Sequence, residues 1–470
     1  MQIIHLSVEC FPVAKVGGLA DVVGSLPKYQ CRSGVEAAVA MPWFDTPFVR
    51  ENAFDAVAEG SFQQGSEALR YTVFREREDR LGFPLYLIQI PGKLDRPEVY
   101  CYPDEAEQWI AFQHAFLHWV QYHRGAPDVI HCHDHHVGLI PFLTKHANEF
   151  KAMRDVKTVF TVHNAQYQGW MGWNSSVLLP PFDTWKWGLM DWDGLINPLA
   201  TAIKCCDAYT TVSEGYLQEL YEEANGLQSL FREQAPKAQG VVNGIDTSYW
   251  NPSSDGSLKR KYSPASAGRG KKENKKALCA QYGLPEELPL LSFIGRFALE
   301  KGADRLHEIL RNLFLQKRNK LVTFILGSGD GRIEAEMQAL KAEFPESMGL
   351  YVGYNEALAH QVYAASDMLL MPSRVEPCGL NQLYALKYGT VPVVRRTGGL
   401  KDTVRDVREE DGYGFLFDRL DDGDAVEAVG RALETYADDK KWKAVRARAM
   451  ALDFSWDRSA QKYIDLYNQL

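Results

Sequence analysis

Ile3-Ile4-His5-Leu6-Ser7-Val8, and soon after it Lys15-Val16-Gly17-Gly18-Leu19-Ala20-Asp21-Val22, is the stretch on which the fold turns. The first part is a mostly apolar run closed by Glu9 and reads as a strand buried on both faces. The second part places paired glycines before an amphipathic run, which reads as a tight turn into a helix. Strand, glycine turn and helix in that order form the repeating unit of a parallel α/β sheet.

The alternation continues outward from there. Further strands are expected at 35–41, 85–90, 128–131, 157–163, 208–212 and 239–242. A helix is expected over 106–124, where Trp109, Phe112, Phe116, Trp119 and Val120 recur at helical spacing. The second half repeats the pattern, with strands at 289–294, 321–326, 350–352, 368–371, 391–394 and 415–417. Its helices are expected at 303–316, 332–343, 356–365, 380–387 and 425–436. The fold class is therefore α/β, with two tandem doubly wound Rossmann-like domains facing an interdomain cleft. The expected bounds are 1–245 and 246–454, and an amphipathic helix over 455–470 carries Trp456, Tyr463, Ile464 and Tyr467. Ser253 to Lys276, rich in Ser, Gly, Pro and Lys, reads as a boundary or a mobile loop.

Composition narrows the function classes. The 470 residues are 46% apolar and 24% charged, which suits globular domains rather than disordered or fibrous chains. Lys and Arg number 52 against 61 Asp and Glu, a net charge of −9, unfavourable for general nucleic-acid binding. The one dense basic stretch, eight Lys/Arg between 259 and 276, reads most simply as a solvated linker or helix face. No apolar run approaches the ~20 residues of a membrane span. The start of the chain lacks a basic region before its apolar run, so it reads as a strand rather than a signal peptide. Eight cysteines at irregular spacing suggest neither a disulfide framework nor a zinc site, and a cytoplasmic home is expected.

In doubly wound sheets, chemistry gathers beyond the carboxyl ends of the strands. The Lys15–Gly18 turn suits a phosphate, through close backbone approach, free amides and a lysine charge; a plain strand-to-helix turn with a surface lysine fits equally. It is neither a GxGxxG fingerprint nor a Walker loop. Gly295-Arg296 and Lys301-Gly302 follow another strand and offer two cations, as a diphosphate requires; a surface pair is the alternative. Arg374-Val375-Glu376-Pro377-Cys378-Gly379-Leu380 follows the 368–371 strand and holds an acid in a stiff turn, where it either meets sugar hydroxyls or caps a helix. Thr397-Gly398-Gly399-Leu400 is a second Gly-Gly turn.

His131-Cys132-His133-Asp134-His135-His136 is rich in histidine, and in a continuous strand three rings would share one face. A metal site is the less favoured reading, because the strand should break near Asp134. Thr161-Val162-His163-Asn164 lies at another strand end. Trp170, Trp173, Trp185, Trp187 and Trp192, with Tyr167 and Phe182, crowd one loop-like region. They form either a platform for sugar rings or a loop packed on itself. Gly327-Ser328-Gly329 is no more than a turn, and Cys205-Cys206 reads as buried helix.

Taken in order, these motifs, together with Val242-Asn243-Gly244-Ile245-Asp246, resemble the bacterial glycogen synthase and plant starch synthase family, retaining glycosyltransferases of the GT-B fold. The resemblance runs over nearly the whole chain. It implies glucosyl transfer from ADP-glucose to the non-reducing end of an α-1,4-glucan, with no cofactor and no metal. It also implies that the C-terminal helix crosses back to the first domain, which would serve catalysis and the acceptor while the second binds the nucleotide sugar. By resemblance Lys15, Gly18, Arg296 and Lys301 hold the diphosphate, with Gly17 and Asp21 in the same turn. His163 and Glu376 hold the glucose, with Asp134, Asn164 and Asn243 near it, and Tyr100 stacks near donor or acceptor. Cys378, Gly379 and Leu380, with Thr397, Gly398 and Gly399, complete the implied substrate-binding set.

Three departures stand out. Val16 stands where many members have Thr, and His135 where many have Trp. Tyr384 stands where the wider GT-B group often has a second Glu, an acid the synthase branch commonly lacks. The alternatives are another GT-B transferase using UDP-glucose and a non-catalytic glucan-binding protein. The presence of Lys15, Arg296, Lys301 and Glu376 argues against the second.

Overall fold

A computed structural model describes residues 1–317 and 320–470. The chain divides into two compact units, Met1–Gly244 with Trp456–Leu470, and Ile245–Ser455.

The first unit is built on a nine-stranded sheet. Its strands are β1 Gln2–Leu6, β2 Glu36–Pro42, β3 Phe54–Gln64, β4 Glu67–Glu76, β5 Leu85–Gln89, β6 Val129–His133 and β7 Lys157–Val162. A separate two-stranded ribbon follows, β8 Asp191–Trp192 with β9 Leu195–Ile196, and then β10 Ala208–Thr211 and β11 Ala238–Gly240 complete the main sheet. The order across it is β11-β10-β7-β6-β1-β2-β5-β4-β3. All pairs are parallel except β3 with β4 and β4 with β5. Ile3, Ile4 and Leu6 of β1 are fully buried, as a central parallel strand demands.

The antiparallel edge is absent from the sequence-based strand list. Its signal is short-period: Leu69, Tyr71 and Val73 are buried while Glu67, Ala68 and Arg70 are exposed. That is the alternation of a half-buried strand, weaker to the eye than an unbroken apolar run.

The second unit carries β12 Leu290–Ile294, β13 Val322–Gly327, β14 Met348–Val352, β15 Met368–Met371, β16 Val391–Arg395 and β17 Phe415–Phe417. They form one parallel sheet ordered β14-β13-β12-β15-β16-β17. One face packs on Leu306, Ile309, Leu310 and Leu313 from helix Leu306–Gln316, and on Val426 and Val429 from helix Asp422–Ala437. Each such side chain contributes roughly 1.5–3 kcal/mol on burial.

The 253–276 stretch departs from the loop expectation, because helix Ala267–Tyr282 begins inside it. Two of its lysines are buried anchors rather than solvated charges. Lys271 Nζ donates to the carbonyls of Tyr363, Ala364 and Tyr388 and to Thr390 Oγ1, all within 3.1 Å. Lys275 pairs with Asp367 at 2.8 Å. Composition registers lysine as solvated; here full hydrogen bonding offsets the burial.

Helix Trp456–Tyr467 belongs to the first unit. Trp456, Tyr463 and Tyr467 pack with Leu26 and Tyr29 of helix Leu26–Arg32 and with Ile3 of β1.

Strand order locates the functional edges. In the first unit β1 leads to β2 on one side, and the chain later returns to β6 on the other. In the second, β12 leads to β13 and β14, and β15 then lies across β12. Reversals of this kind open a crevice at the carboxyl ends of the flanking strands. Loops after β1 and β6, and after β12 and β15, carry the motif residues.

Candidate active site

In the first unit, Glu9 organises the turn after β1. Its Oε2 accepts the N–H groups of Val16 at 2.6 Å and Gly17 at 2.8 Å, and its Oε1 accepts the Tyr100 hydroxyl at 2.6 Å. The sequence reading gave the Gly17 amide to a diphosphate; in the structure that donor is occupied by Glu9. Helix Gly18–Val23, which the turn opens, has only six residues. Lys15 pairs with Asp21 at 2.7 Å, both side chains partly exposed. The Tyr100 ring stacks on His136 at 5.0 Å, and burial, followed by the charge of Glu9, raises its hydroxyl pKa. Glu9 was legible only as a charge closing an apolar strand, a pattern that marks a strand end without indicating a carboxylate turned inward.

β6 ends at His133, and Asp134 follows with φ 61°, so the strand periodicity breaks there. Asp134 Oδ1 accepts the His163 amide at 2.7 Å and the Asn164 amide at 3.4 Å, tying the ends of β6 and β7 together. Burial raises its pKa to about 7 against the lowering effect of those amides, and Glu9 adds to the rise. His163 is buried, and burial lowers its pKa to about 3, so the ring is neutral. Its Nε2 lies 3.0 Å from His133 Nδ1. Asn164 Oδ1 accepts the Gln166 amide. Asn243 is buried, and its Oδ1 has no hydrogen-bond partner. An orphan acceptor of this kind costs roughly 1–3 kcal/mol, which a donated hydroxyl would recover.

In the second unit, the loop after β12 carries Arg296 and Lys301. Arg296 pairs with Glu300 at 2.7 Å. Lys301 Nζ donates to both oxygens of Glu376, at 2.7 and 2.8 Å, and Ser373 Oγ donates to Oε2 at 3.0 Å. Glu376 is only 4% exposed. Gly302, at φ 66°, allows the close approach: a Cβ there would lie 1.9 Å from the Pro372 carbonyl oxygen. Gly399 is equally constrained, since a Cβ would lie 2.2 Å from the Cys378 oxygen. The Gly399 N–H donates to the Glu376 carbonyl at 3.0 Å, so the turn over Thr397, Gly398 and Gly399 packs directly on the turn over Cys378, Gly379 and Leu380. Arg374, which the sequence reading quoted in this motif without a role, is bidentate to Asp304 and braces the same loop. Tyr384 stacks face to face on Trp250 at 3.8 Å.

Within each unit the expected residues do converge. Gly17 and Tyr100 meet at Glu9 and Lys15 pairs with Asp21 in the same turn, while Asp134, His163 and Asn164 form a connected set. Arg296, Lys301, Glu376 and the two glycine turns form the set of the second unit. In the aromatic loop Trp173 packs edge-on against Trp187 at 5.8 Å, as a loop packed on itself would, while Tyr167, Trp170, Trp185 and Trp187 are exposed. Histidines 131, 133 and 135 do not share a strand face, because His135 lies in the turn His135–Val137. His5, His131 and His133 cluster instead.

This is the arrangement of a two-domain glycosyltransferase. Residues 2–233 match the family described as the starch synthase catalytic domain, and residues 274–448 match glycosyl transferases group 1. The chain is 46% identical over 468 residues to a glycogen synthase of Flavobacterium johnsoniae, covering 100% of this chain and 99% of that one. It is similar in structure to the catalytic domain of starch synthase IV from Arabidopsis thaliana, solved with ADP and acarbose. That similarity has a TM-score of 0.91 and 31% identity, covering 100% and 99% of the two chains. A sucrose-phosphate synthase of Thermosynechococcus elongatus shares the fold, at a TM-score of 0.64 and 19% identity over 100% and 99% of the chains. The chain belongs to the glycogen and starch synthase family, and is an enzyme of that glucosyltransferase type. Among the described residues no helix is long and apolar enough to cross a membrane, and all eight cysteines are free thiols.

Proposed function

We propose that this enzyme transfers glucose, with retention, from ADP-glucose to the non-reducing end of an α-1,4-glucan, without a metal, in the cytoplasm. The observation that carries the reading is the loop pair at the β12/β15 edge. Arg296 and Lys301 supply two cations, which complement a diphosphate, and Glu376 a buried carboxylate, which can accept from sugar hydroxyls. Charge grows on the diphosphate as the glycosidic bond breaks, and preset cations lower that barrier. Arg296 exchanges Glu300 for phosphate at little cost, since exposed ion pairs are worth roughly 0–1 kcal/mol.

The first unit contributes groups as well in this reading. Lys15 adds charge for the diphosphate, while His163 and the orphan Asn243 oxygen meet sugar hydroxyls. Asp134 and Glu376 are both engaged as hydrogen-bond acceptors. This supports front-face attack, in which a leaving phosphate oxygen takes the acceptor proton, over a carboxylate nucleophile. The relatives named glycogen synthase, and the starch synthase structure solved with ADP, support the donor and acceptor assignments.

The test compares nucleotide release from ADP-glucose and UDP-glucose at equal concentration, with glycogen present and a chelator added. The expected result is faster ADP release, with the new glucose removable by an α-1,4-specific hydrolase. Preferential UDP release would replace the donor, loss of activity in chelator would refute metal independence, and glucan binding without release would leave a non-catalytic binder.

A further inference from the structure

A string of buried polar side chains runs through the first unit from the C-terminal helix to His163. Gln30 lies on helix Leu26–Arg32, His5 on β1, His133 on β6 and His163 just beyond β7. His5 Nε2 lies 2.7 Å from Gln30 Oε1, His5 Nδ1 lies 3.0 Å from His133 Nε2, and His133 Nδ1 lies 3.0 Å from His163 Nε2. A second arm leaves the same amide. Gln30 Nε2 donates to the Tyr467 hydroxyl at 3.1 Å, and Tyr467 lies 2.7 Å from His131 Nδ1. His131 Nε2 is 2.6 Å from Thr161 Oγ1, which is 2.6 Å from Thr210 Oγ1. Gln30, His5, His131, His133, Thr161 and Thr210 are fully buried.

The polarity of this string follows from the inventory of donors and acceptors. An amide oxygen only accepts, so His5 Nε2 carries a proton. A neutral imidazole has one N–H, so His5 Nδ1 accepts and His133 Nε2 donates. His133 Nδ1 then accepts, and His163 Nε2 donates. His163 Nδ1 is left with its lone pair. Burial keeps the three rings neutral, lowering the pKa of His5 to about 4 and that of His163 to about 3. Turning the Gln30 amide over would reverse every bond in both arms and move the His163 proton to Nδ1.

We propose that Gln30 and His5 are positioning residues that dictate, through His133, which ring nitrogen of His163 carries its proton. The proposal rests on the reading of His163 as a group that meets the donor sugar. With the proton on Nε2, His163 offers the sugar an acceptor, suited to a hydroxyl that donates. The alternative use of the cluster, a metal held by His5, His131 and His133, conflicts with the hydrogen bonding. All six ring nitrogens of the three residues are already engaged, so at least two hydrogen bonds in a closed interior would have to break.

The experiment is ¹⁵N NMR of histidine-labelled full-length protein, with the His163 signals assigned by their loss in His163→Ala. A single neutral tautomer protonated at Nε2 is expected in the unsubstituted protein. Gln30→Met, similar in volume but without polarity, should give a mixture of His163 tautomers in a folded protein. It should lower kcat roughly ten- to a hundredfold, the scale of one or two lost hydrogen bonds, with little change in donor KM. Zinc added to the unsubstituted protein should leave the His5, His131 and His133 signals in place.

A His163 protonated at Nδ1, charged or already mixed in the unsubstituted protein would overturn the proposal, and that measurement stands even if Gln30→Met does not fold. An unchanged tautomer in folded Gln30→Met would overturn it too, as would zinc-shifted ring signals. The underlying reading fails separately: full turnover in His163→Ala would remove the role at the sugar while leaving the tautomer measurement valid.

Discussion

The candidate residue sets of the two units handle polarity in opposite ways. In the second unit it is ionic: Arg296 with Glu300 and Lys301 with Glu376, in short loops at strand ends. In the first unit it is largely neutral and buried, a lattice of histidine, glutamine, tyrosine and threonine around His163, with Glu9 and Asp134 held by amides. Ion pairs recognise charge and exchange partners readily where they are exposed. A buried neutral network recognises geometry, and it holds only while every member keeps its protonation state. In the proposed reading the ionic set takes up a diphosphate and the neutral network orients a sugar.

Acid is the most severe way to break this comparison. Folded-state pKa values near 4 for His5 and near 3 for His163 lie below the ordinary 6.5. The unfolded chain thus binds more protons, and the stability these rings contribute is lost as pH falls from about 6.5 toward 4. Each shift is worth about 3 kcal/mol over that range. Urea unfolding followed by tryptophan fluorescence reports mainly the first unit, because only Trp250 and Trp442 lie in the second. The midpoint should fall steeply between pH 6.5 and 4.5; a flat profile would mean the network tolerates charge.

Next in size is Lys301→Ala. It removes a cation from the diphosphate reading and leaves Glu376 buried without its charged partner. Turnover should fall about a thousandfold, the scale of one lost transition-state donor. Because Lys301 is itself partly exposed, stability should fall by only about 1–3 kcal/mol, less than for a fully buried pair. A variant with turnover within tenfold of the starting enzyme would remove Lys301 from the chemistry.

Asp134→Asn tests the first unit with the opposite sign. The Asp134 pKa is raised to about 7, so the folded state binds the extra proton, and stability is lost as pH rises from about 4 toward 7. Asn keeps an oxygen for the His163 amide and carries no charge. Relative to the starting protein, the variant should gain about 4 kcal/mol at pH 8 and almost nothing at pH 4. Equal differences at both pH values would show that Asp134 is not strained by its charge.

These contrasts also explain what could be read from sequence. Parallel strands announce themselves as apolar runs followed by glycine turns, so β1, β12, β13 and β15 and the loops behind them were legible, as were Arg296, Lys301 and Glu376. The network was not. His5, Gln30 and Tyr467 are far apart in sequence, and each looks like an isolated polar residue on an apolar element. Only strand order, which sets β1 beside β6, and the return of the C-terminal helix bring them together. Lys271 shows the same limit, since nothing local to Lys271-Lys272 tells a buried anchor from a solvated charge. Glu9 combined both difficulties, because its partners Gly17 and Tyr100 come from two different loops.

The smallest structural effect, and the sharpest contrast, belongs to Arg296→Ala. The guanidinium is more than half exposed, and its bond to Glu300 joins residues four apart within one short loop. Removing it should change unfolding free energy by less than about 0.5 kcal/mol, as exposed pairs do. Its loss should appear in donor binding, with a KM for the nucleotide sugar about tenfold higher. Salt supplies the second axis, because contacts between exposed charges are screened within roughly 10 Å at 0.1 M ionic strength. Donor KM in the starting enzyme should therefore rise with added salt, and rise less in the variant, which has one fewer cation to screen. Gln30→Met should leave that salt dependence unchanged, since it alters the direction of hydrogen bonds and no charge. If Arg296→Ala instead lowered stability and left KM untouched, the loop after β12 would be a structural brace, and the proposed division between a charge-binding set and an orienting set would fail at its charged end.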